Sequence, residues 1–209
     1  MGNIRSRTEE EKQQKQSMIL EAASKVFSEL GFQKATMTAV AKKAGLSRTL
    51  VNFYYNDKNQ LHAALEKKTL NEIAFLLNQN IDLKNDPFKN LKIVADTFFD
   101  YAQKNTGLYE CLLRPEFDLK ISNSTLINDT QMVNEIVAKV ISKGVEQNIL
   151  HNPFDTLLEA TINMWCIIHG FITISTNKSE ILQTHWGVSQ NNLRSSTYIT
   201  LEKLFKVKS

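Results

Sequence analysis

Met37–Asn56, MTAVAKKAGLSRTLVNFYYN, reads as two short helices around one tight corner. Val40, Ala41 and Ala44 fall on one face of the first at helical spacing, and Val51, Tyr54 and Tyr55 fall on one face of the second. Neither stripe is long enough to be buried alone, so each needs the other. Ala41 is small where two crossing helices come closest, and Gly45 takes the positive φ of a helix C-terminus without a Cβ clash. Leu46 then plugs the corner and Ser47 caps the second helix. Thr36, just ahead of the first, is a cap whose hydroxyl and neighbouring amides suit a phosphate. The pattern is that of a helix-turn-helix.

Outward from this hairpin, the chain of 209 residues has three prolines and seven glycines, which favours long uninterrupted helices. Its formal charge of +3 is unevenly spread. Residues 1 to 60 hold ten Lys/Arg against six Asp/Glu, net +4, and residues 61 to 209 hold fifteen against sixteen, net −1. The positive excess belongs to the end that carries the hairpin, as a phosphate-binding head on a neutral body requires. Two cysteines, Cys111 and Cys166, make no disulfide framework and suit a reducing cytosol. No signal peptide is expected from MGNIRSRTEEEKQQKQ, and the most apolar later run, WCIIHGFITI, is short for a membrane span and carries His169. The expectation is a cytoplasmic protein without a membrane partner. Gly2 and Ser6 fit a myristoylation pattern, though a basic arm ahead of a DNA-binding unit is the preferred reading.

Ahead of the hairpin, Ile19, Ala22, Ala23, Val26, Phe27 and Leu30 predict a helix from the mid-teens to Leu30, stopped by Gly31 with Phe32 packing back. After it, Asp57 caps a linking helix on Leu61, Ala64, Leu65, Ile73, Leu76 and Leu77 that runs to about Asn78.

Residues 18–61, MILEAASKVFSELGFQKATMTAVAKKAGLSRTLVNFYYNDKNQL, resemble the N-terminal domain of TetR-family transcriptional regulators. The matching features are Ala22-Ala23, Phe27, Gly31-Phe32, Ala35-Thr36, Val40-Ala41, Ala44-Gly45, Ser47, Tyr54 and Lys58. The resemblance implies an all-α protein, with an N-terminal three-helix helix-turn-helix domain joined by a linking helix to a larger helical ligand-binding and dimerisation domain. The division is drawn as 1–60 for the DNA-binding domain with its flexible basic arm, and 61–209 for the effector-binding and dimerisation domain. It implies further a homodimer on a roughly palindromic double-stranded DNA operator and a small-molecule effector.

At the start of the second hairpin helix the chain departs from the family. Thr49, Leu50, Val51 and Asn52 stand where a Gly-Thr-Leu-Tyr-like run is common, so a hydroxyl and an aromatic ring are missing at Leu50 and Asn52. By helical geometry Arg48 and Asn52 share one row of the outer face, and Thr49 and Phe53 share the next. These are the expected major-groove residues, Arg48 toward guanine, Asn52 toward adenine and Phe53 against sugar or a thymine methyl. Thr36, Tyr54 and Lys58 are expected to hold phosphates, and Thr38 a base or a phosphate. In the leader, Arg5 and Arg7 suit a minor groove, but Glu9, Glu10 and Glu11 favour a merely solvated segment.

In the body, Asp86-Pro87 opens a helix on Phe88, Leu91, Val94, Ala95, Phe98, Tyr101 and Ala102. Leu108–Leu113 is read as a short apolar turn, and Ser124–Asn148 as a long helix. Asn152-Pro153 opens another helix with Leu157, Leu158, Thr161, Ile162, Trp165, Ile168, His169 and Ile172 inward. A polar loop over Asn177–Ser189 precedes a last helix on Leu193, Thr197, Leu201, Leu204 and Phe205. The resemblance makes the last two helices the homodimer interface. Phe75, Phe98, Tyr101, Tyr109, Trp165 and His169 are the candidate effector residues, for a mostly apolar ligand with few polar handles. In the family, ligand binding shifts the linking helix and the spacing of the recognition helices.

Enzymatic chemistry finds no support. His62, His151, His169 and His185 lack metal spacing, no phosphate loop or nucleophile elbow is present, and no cofactor or metal is expected. The expectation is a ligand-responsive repressor. The alternative is a helical small-molecule or protein-binding module that has lost specific DNA binding.

Overall fold

The structure, a computed structural model, describes residues 9–113 and 124–207, with side chains from residue 130 onward in the second stretch. The leader containing Arg5 and Arg7 lies outside the described residues. Among these residues the chain is helical with no strand, apart from one isolated bridge between Leu150 and Lys206.

The elements are α1 (Glu9–Lys34), α2 (Met37–Ala44), α3 (Arg48–Tyr54), α4 (Lys58–Asn80), α5 (Pro87–Lys104), α6 (Thr106–Leu113), α7 (Ser124–Glu146), α8 (Leu157–Asn177), α9 (Ser179–Trp186) and α10 (Gln190–Phe205). They fall into two compact units, one made of the chain up to Thr69 with Asn105–Leu126, the other of Leu70–Lys104 with Ile127–Ser209. The boundary therefore crosses α4 rather than falling at residue 60. Against the expected division, with 61–209 as a single body, α6 is counted with the first unit. It packs on α1, and its Leu108 and Cys111 join the hydrophobic core there.

The core of the first unit is Ile19, Ala22, Ala23, Val26 and Phe27 of α1, with Phe32, Val40, Ala41, Val51, Leu61 and Leu65. The α1 segment bends at Gly31, at φ 74° and ψ 154°, which lets Phe32 return edge-on to Phe27 at 5.4 Å. Leu30, last of the predicted stripe, is exposed at this bend. In α4, Asp57 caps as expected, its Oδ1 accepting from Gln60 N at 2.8 Å.

In the second unit Asp86 Oδ1 accepts from Lys89 N at 2.8 Å, and the predicted α5 stripe from Phe88 to Ala102 is buried. The start of α8 differs from expectation. Thr156 and Glu159 form a reciprocal capping box, with Glu159 N to Thr156 Oγ1 at 3.1 Å and Thr156 N to Glu159 Oε2 at 3.0 Å. Asn152 instead closes a local turn on Phe154 N. The two-bond box prevails over the Asn-Pro signal, and the inner face becomes Ala160, Thr161, Met164, Ile168, Ile172 and Ser175. Leu157, Leu158 and Ile162, predicted inward, are exposed. Within the predicted polar loop the chain forms α9, held by buried Leu182. α8 packs on α5 and α10. It is long and apolar enough to cross a membrane by length and composition, but a core helix meets the same test, and one face of α8 is committed to this core.

Candidate DNA-binding and effector sites

The hairpin forms as its local chemistry dictates. Thr36 Oγ1 accepts from Ala39 N at 3.1 Å, and Gly45, at φ 67°, closes α2 with its N–H on the carbonyls of Ala41 and Lys42. Leu46 N donates to Ala41 O at 3.0 Å, and Ser47 Oγ accepts from Leu50 N at 3.1 Å. Val40, Ala41 and Val51 are buried, and Leu46, Tyr54 and Tyr55 pack against the same core.

The outer face of α3 presents Arg48, Thr49 and Phe53, the last 62% exposed with its ring edge-on to Tyr54 at 5.3 Å. Thr36 and Thr38 are exposed at the start of α2. Two candidates sit otherwise than expected. Asn52 is half-buried, and its Oδ1 is buried with no hydrogen-bond partner among the described residues. In a helix of seven residues packed on α2, a position one step from buried Val51 is at the rim of the exposed face, not its centre. Lys58 turns inward, its Nζ donating to Phe32 O at 3.0 Å and Gln33 O at 3.1 Å and lying 4.6 Å from the Phe32 ring centroid. It satisfies carbonyls where α1 ends, an engagement that competes with the phosphate contact expected of it. Lys43, which the sequence left unassigned, pairs with Glu29 at 2.6 Å.

Residues 19–65 match the family model for bacterial regulatory proteins, tetR family. The N-terminal domain is a TetR-family domain. Its boundaries take in the whole helix-turn-helix and the first turns of α4. The HTH-type transcriptional regulator BetI of Stenotrophomonas maltophilia is 32% identical over 92 residues, which are 44% of this chain and 47% of that one. The chain thus spans about half the length of the curated relatives it matches. A TetR-family transcription regulator from Shewanella sp. PV-4 superposes with a TM-score of 0.72 at 17% identity, over 93% of this chain and 99% of that one. A SmeT–triclosan complex does so with a TM-score of 0.68 at 15% identity, over 94% and 93%. At such identities these structures show the shared fold: a TetR-type head followed by helices.

In the second unit three of the six effector candidates come together. The Phe98 ring lies edge-on to Trp165 at 4.5 Å and to His169 at 5.6 Å, and Trp165 stacks on His169 at 5.2 Å. Burial pushes the His169 imidazole down to about 4, so it is neutral near pH 7. Tyr101 is buried and donates to Glu72 Oε2 at 2.6 Å, whereas Phe75 is 61% exposed on α4. Tyr109 belongs to α6 in the TetR-type unit, where burial raises its phenol far above the usual range. Sequence reasoning missed Asn134, whose Oδ1 accepts from Trp165 Nε1 at 2.7 Å. A polar residue beside the apolar stripe of α7 looks like a solvated flank until its partner is known.

Proposed function

We propose that this chain is a ligand-responsive transcriptional regulator, a cytoplasmic homodimer that represses from a palindromic operator and is released by a small, mostly apolar effector. The observation that carries this reading is the outer face of α3. Arg48, Thr49 and Phe53 stand exposed on a hairpin whose caps and core are complete, beside exposed Thr36 and Thr38. A helix so held presents its side chains to a major groove in fixed register. Arg48 reads guanine, Thr49 and Phe53 contact the adjoining base or sugar, Tyr54 and Thr36 set the backbone, and the amide of Asn52 reaches adenine from the rim.

The Phe98, Trp165 and His169 cluster, with Asn134 hydrogen-bonded to Trp165, offers an effector apolar contact and few polar groups. A neutral imidazole suits an uncharged or weakly polar ligand. Coupling needs only that the ligand prefer a conformation which fits DNA badly, by about 1 to 3 kcal/mol. The dimer is assigned to α8 and α10, which pack together and leave Leu158, Ile162, Ile174 and Ile199 exposed.

A second reading keeps the fold without sequence-specific DNA binding, and the half-burial of Asn52 and Leu50 favours it. Selection of duplexes from a random pool at physiological salt separates the two. The regulator enriches a palindrome with steep salt dependence, and Arg48→Ala abolishes the enrichment. Weak binding at low salt with no enriched sequence supports the second reading instead.

A further inference from the structure

Among the described residues Thr69, Thr97, Thr161 and Thr197 are buried inside helices. Three of these threonines donate their hydroxyl to the carbonyl one turn back: Thr97 to Ile93 O at 2.8 Å, Thr161 to Leu157 O at 2.8 Å and Thr197 to Leu193 O at 3.0 Å. That is the ordinary bond of a helical threonine cut off from water. Thr69 departs from it. It is fully buried in α4, and its Oγ1 has no partner among the described residues, not even Leu65 O four residues back. A hydroxyl turned off its own helix and out of water leaves a donor and two acceptor positions unserved.

One turn earlier on the same side of α4 stands Glu66. It is half-buried and makes no hydrogen bond or ion pair among the described residues, and burial alone raises its carboxyl to about 7. The adjoining lysines do not offset that: Lys67 is exposed, and Lys68 acts on Glu21 of α1. Residues three apart on a helix have Cβ atoms about 5 to 6 Å apart, so the carboxylate and the hydroxyl can hold one small group between them. Leu61, Leu65 and Thr69 follow at intervals of four, and the first two share a core with Leu108 and Cys111 of α6. All of these residues belong to the first unit.

The chemistry missing from the pair identifies its ligand. Glu66 needs a positive charge, and both side chains offer oxygen acceptors. A metal ion asks for more, and among the described residues no three His, Cys, Asp or Glu come together to hold one. A guanidinium takes a carboxylate with both prongs of its fork and leaves the hydroxyl aside. An ammonium is compact, carries the charge and has three donors to divide between the two groups.

We propose that Glu66 and Thr69 bind the ammonium of a primary amine whose remaining chain is apolar, with Glu66 as counter-ion and Thr69 Oγ1 as second acceptor. The apolar chain follows from the core that Leu65 shares with Leu108 and Cys111. The site is assigned apart from the Phe98, Trp165 and His169 cluster of the second unit, and it goes beyond the effector described above.

The probe is n-hexylammonium chloride, added to the full chain above pH 7, with n-hexanol as the same chain lacking the charge. Hexylammonium should raise the unfolding temperature by about 3 °C at ten times its dissociation constant, and hexanol by much less. It should also move the carboxyl carbon resonance of Glu66 toward the carboxylate position, a response that an acid serving only the fold does not give. Glu66→Gln should abolish the temperature shift. Thr69→Val should weaken binding about five-fold while the free protein unfolds no earlier than the wild type, because the hydroxyl it removes has no partner. No response of the wild type, an equal response to hexanol, or a shift retained in Glu66→Gln overturns the site. So does a Thr69→Val protein that unfolds earlier, since the hydroxyl then serves the fold. Selection that returns no palindrome, beside a hexylammonium response that depends on Glu66, removes the regulator reading and upholds this site.

Discussion

Lys58 lies over the ring of Phe32 and donates to that residue's carbonyl at 3.0 Å, binding the first turn of α4 to the end of α1. The ammonium also reaches Gln33 O, so two of its three donors serve the fold. Charge-assisted hydrogen bonds of this kind contribute about 1.5 to 3 kcal/mol when their partners are out of water, and this site is only half-buried. Lys58→Ala is therefore expected to destabilise the TetR-type head by about 1 to 2 kcal/mol in chemical denaturation. The salt slope of DNA binding should stay unchanged. A slope reduced by about one, with stability intact, returns Lys58 to a phosphate.

The parts of this head that were legible in the sequence are those closed by bonds within four residues. Thr36 to Ala39, Ser47 to Leu50 and the turn at Gly45 each complete a helix end with donors and acceptors adjacent in the chain. The inward turn of Lys58 has no local signature, because its partners lie 26 and 25 residues away. The half-burial of Asn52 is a subtler matter. Helical periodicity gives the direction of a side chain to within a rim position, and burial at a rim is decided by the neighbouring helix. The α8 start was missed because two cap signals four residues apart compete, and only the reciprocal bonding of Thr156 with Glu159 separates them. The effector candidates rest on their aromatic type, while Asn134 and Glu72, the hydrogen-bond partners of Trp165 and Tyr101, are polar residues of other helices with no local signal.

Arg194 joins α10 to α5 through a fork. Its Nε donates to Asp96 Oδ1 at 2.6 Å and one terminal nitrogen to Asp100 Oδ1 at 2.8 Å, with Tyr198 also donating to Asp96. The carboxylates are part-exposed, so solvent screening reduces what the pairs contribute. Arg194→Met is expected to cost about 1 to 2 kcal/mol in thermal unfolding. Arg194→Lys should recover less than half of it, because a point charge does not reproduce two-directional bonding. Full recovery by lysine reduces the cluster to charge alone.

Two half-buried groups tilt the pH dependence of stability in opposite directions. For His169 burial lowers the folded pKa to about 4 from 6.5, so the unfolded chain binds more protons between these values and stability falls as pH drops through that window. For Glu66 burial raises the carboxyl to about 7 from 4.5, so the folded chain binds more protons and stability falls as pH rises from 4.5 through 7. Over pH 4.5 to 6.5 the two slopes oppose, each at most about 1.4 kcal/mol per pH unit. The wild type should vary weakly there. Glu66→Gln should expose a loss of stability toward acid, and His169→Gln a gain toward acid. The residues belong to different units, so unit-specific probes should resolve the two effects even if unfolding is not all-or-none. Identical pH profiles for the wild type and both variants exclude these titrations as contributors.

Asn52 sets stability against recognition at a single side chain. Its Oδ1 is buried without a partner among the described residues, a desolvation cost of about 1 to 3 kcal/mol that the free protein bears. Asn52→Leu, with the same branching at Cγ but a larger side chain, removes that acceptor and is expected to stabilise the head by about 1 kcal/mol if the half-buried rim takes up the added volume. On the selected operator the same change should weaken binding by about 1 to 3 kcal/mol while leaving random duplexes unaffected, because an adenine-reading amide is lost and no phosphate contact is. Arg48→Ala, on the exposed part of α3, should give a comparable loss on the operator with no gain in stability. The difference between the two variants measures what burial of the Asn52 amide costs the fold. If Asn52→Leu stabilises the protein and binds the operator as tightly as the wild type, the side chain belongs to the packing of α3, and base recognition rests on Arg48, Thr49 and Phe53.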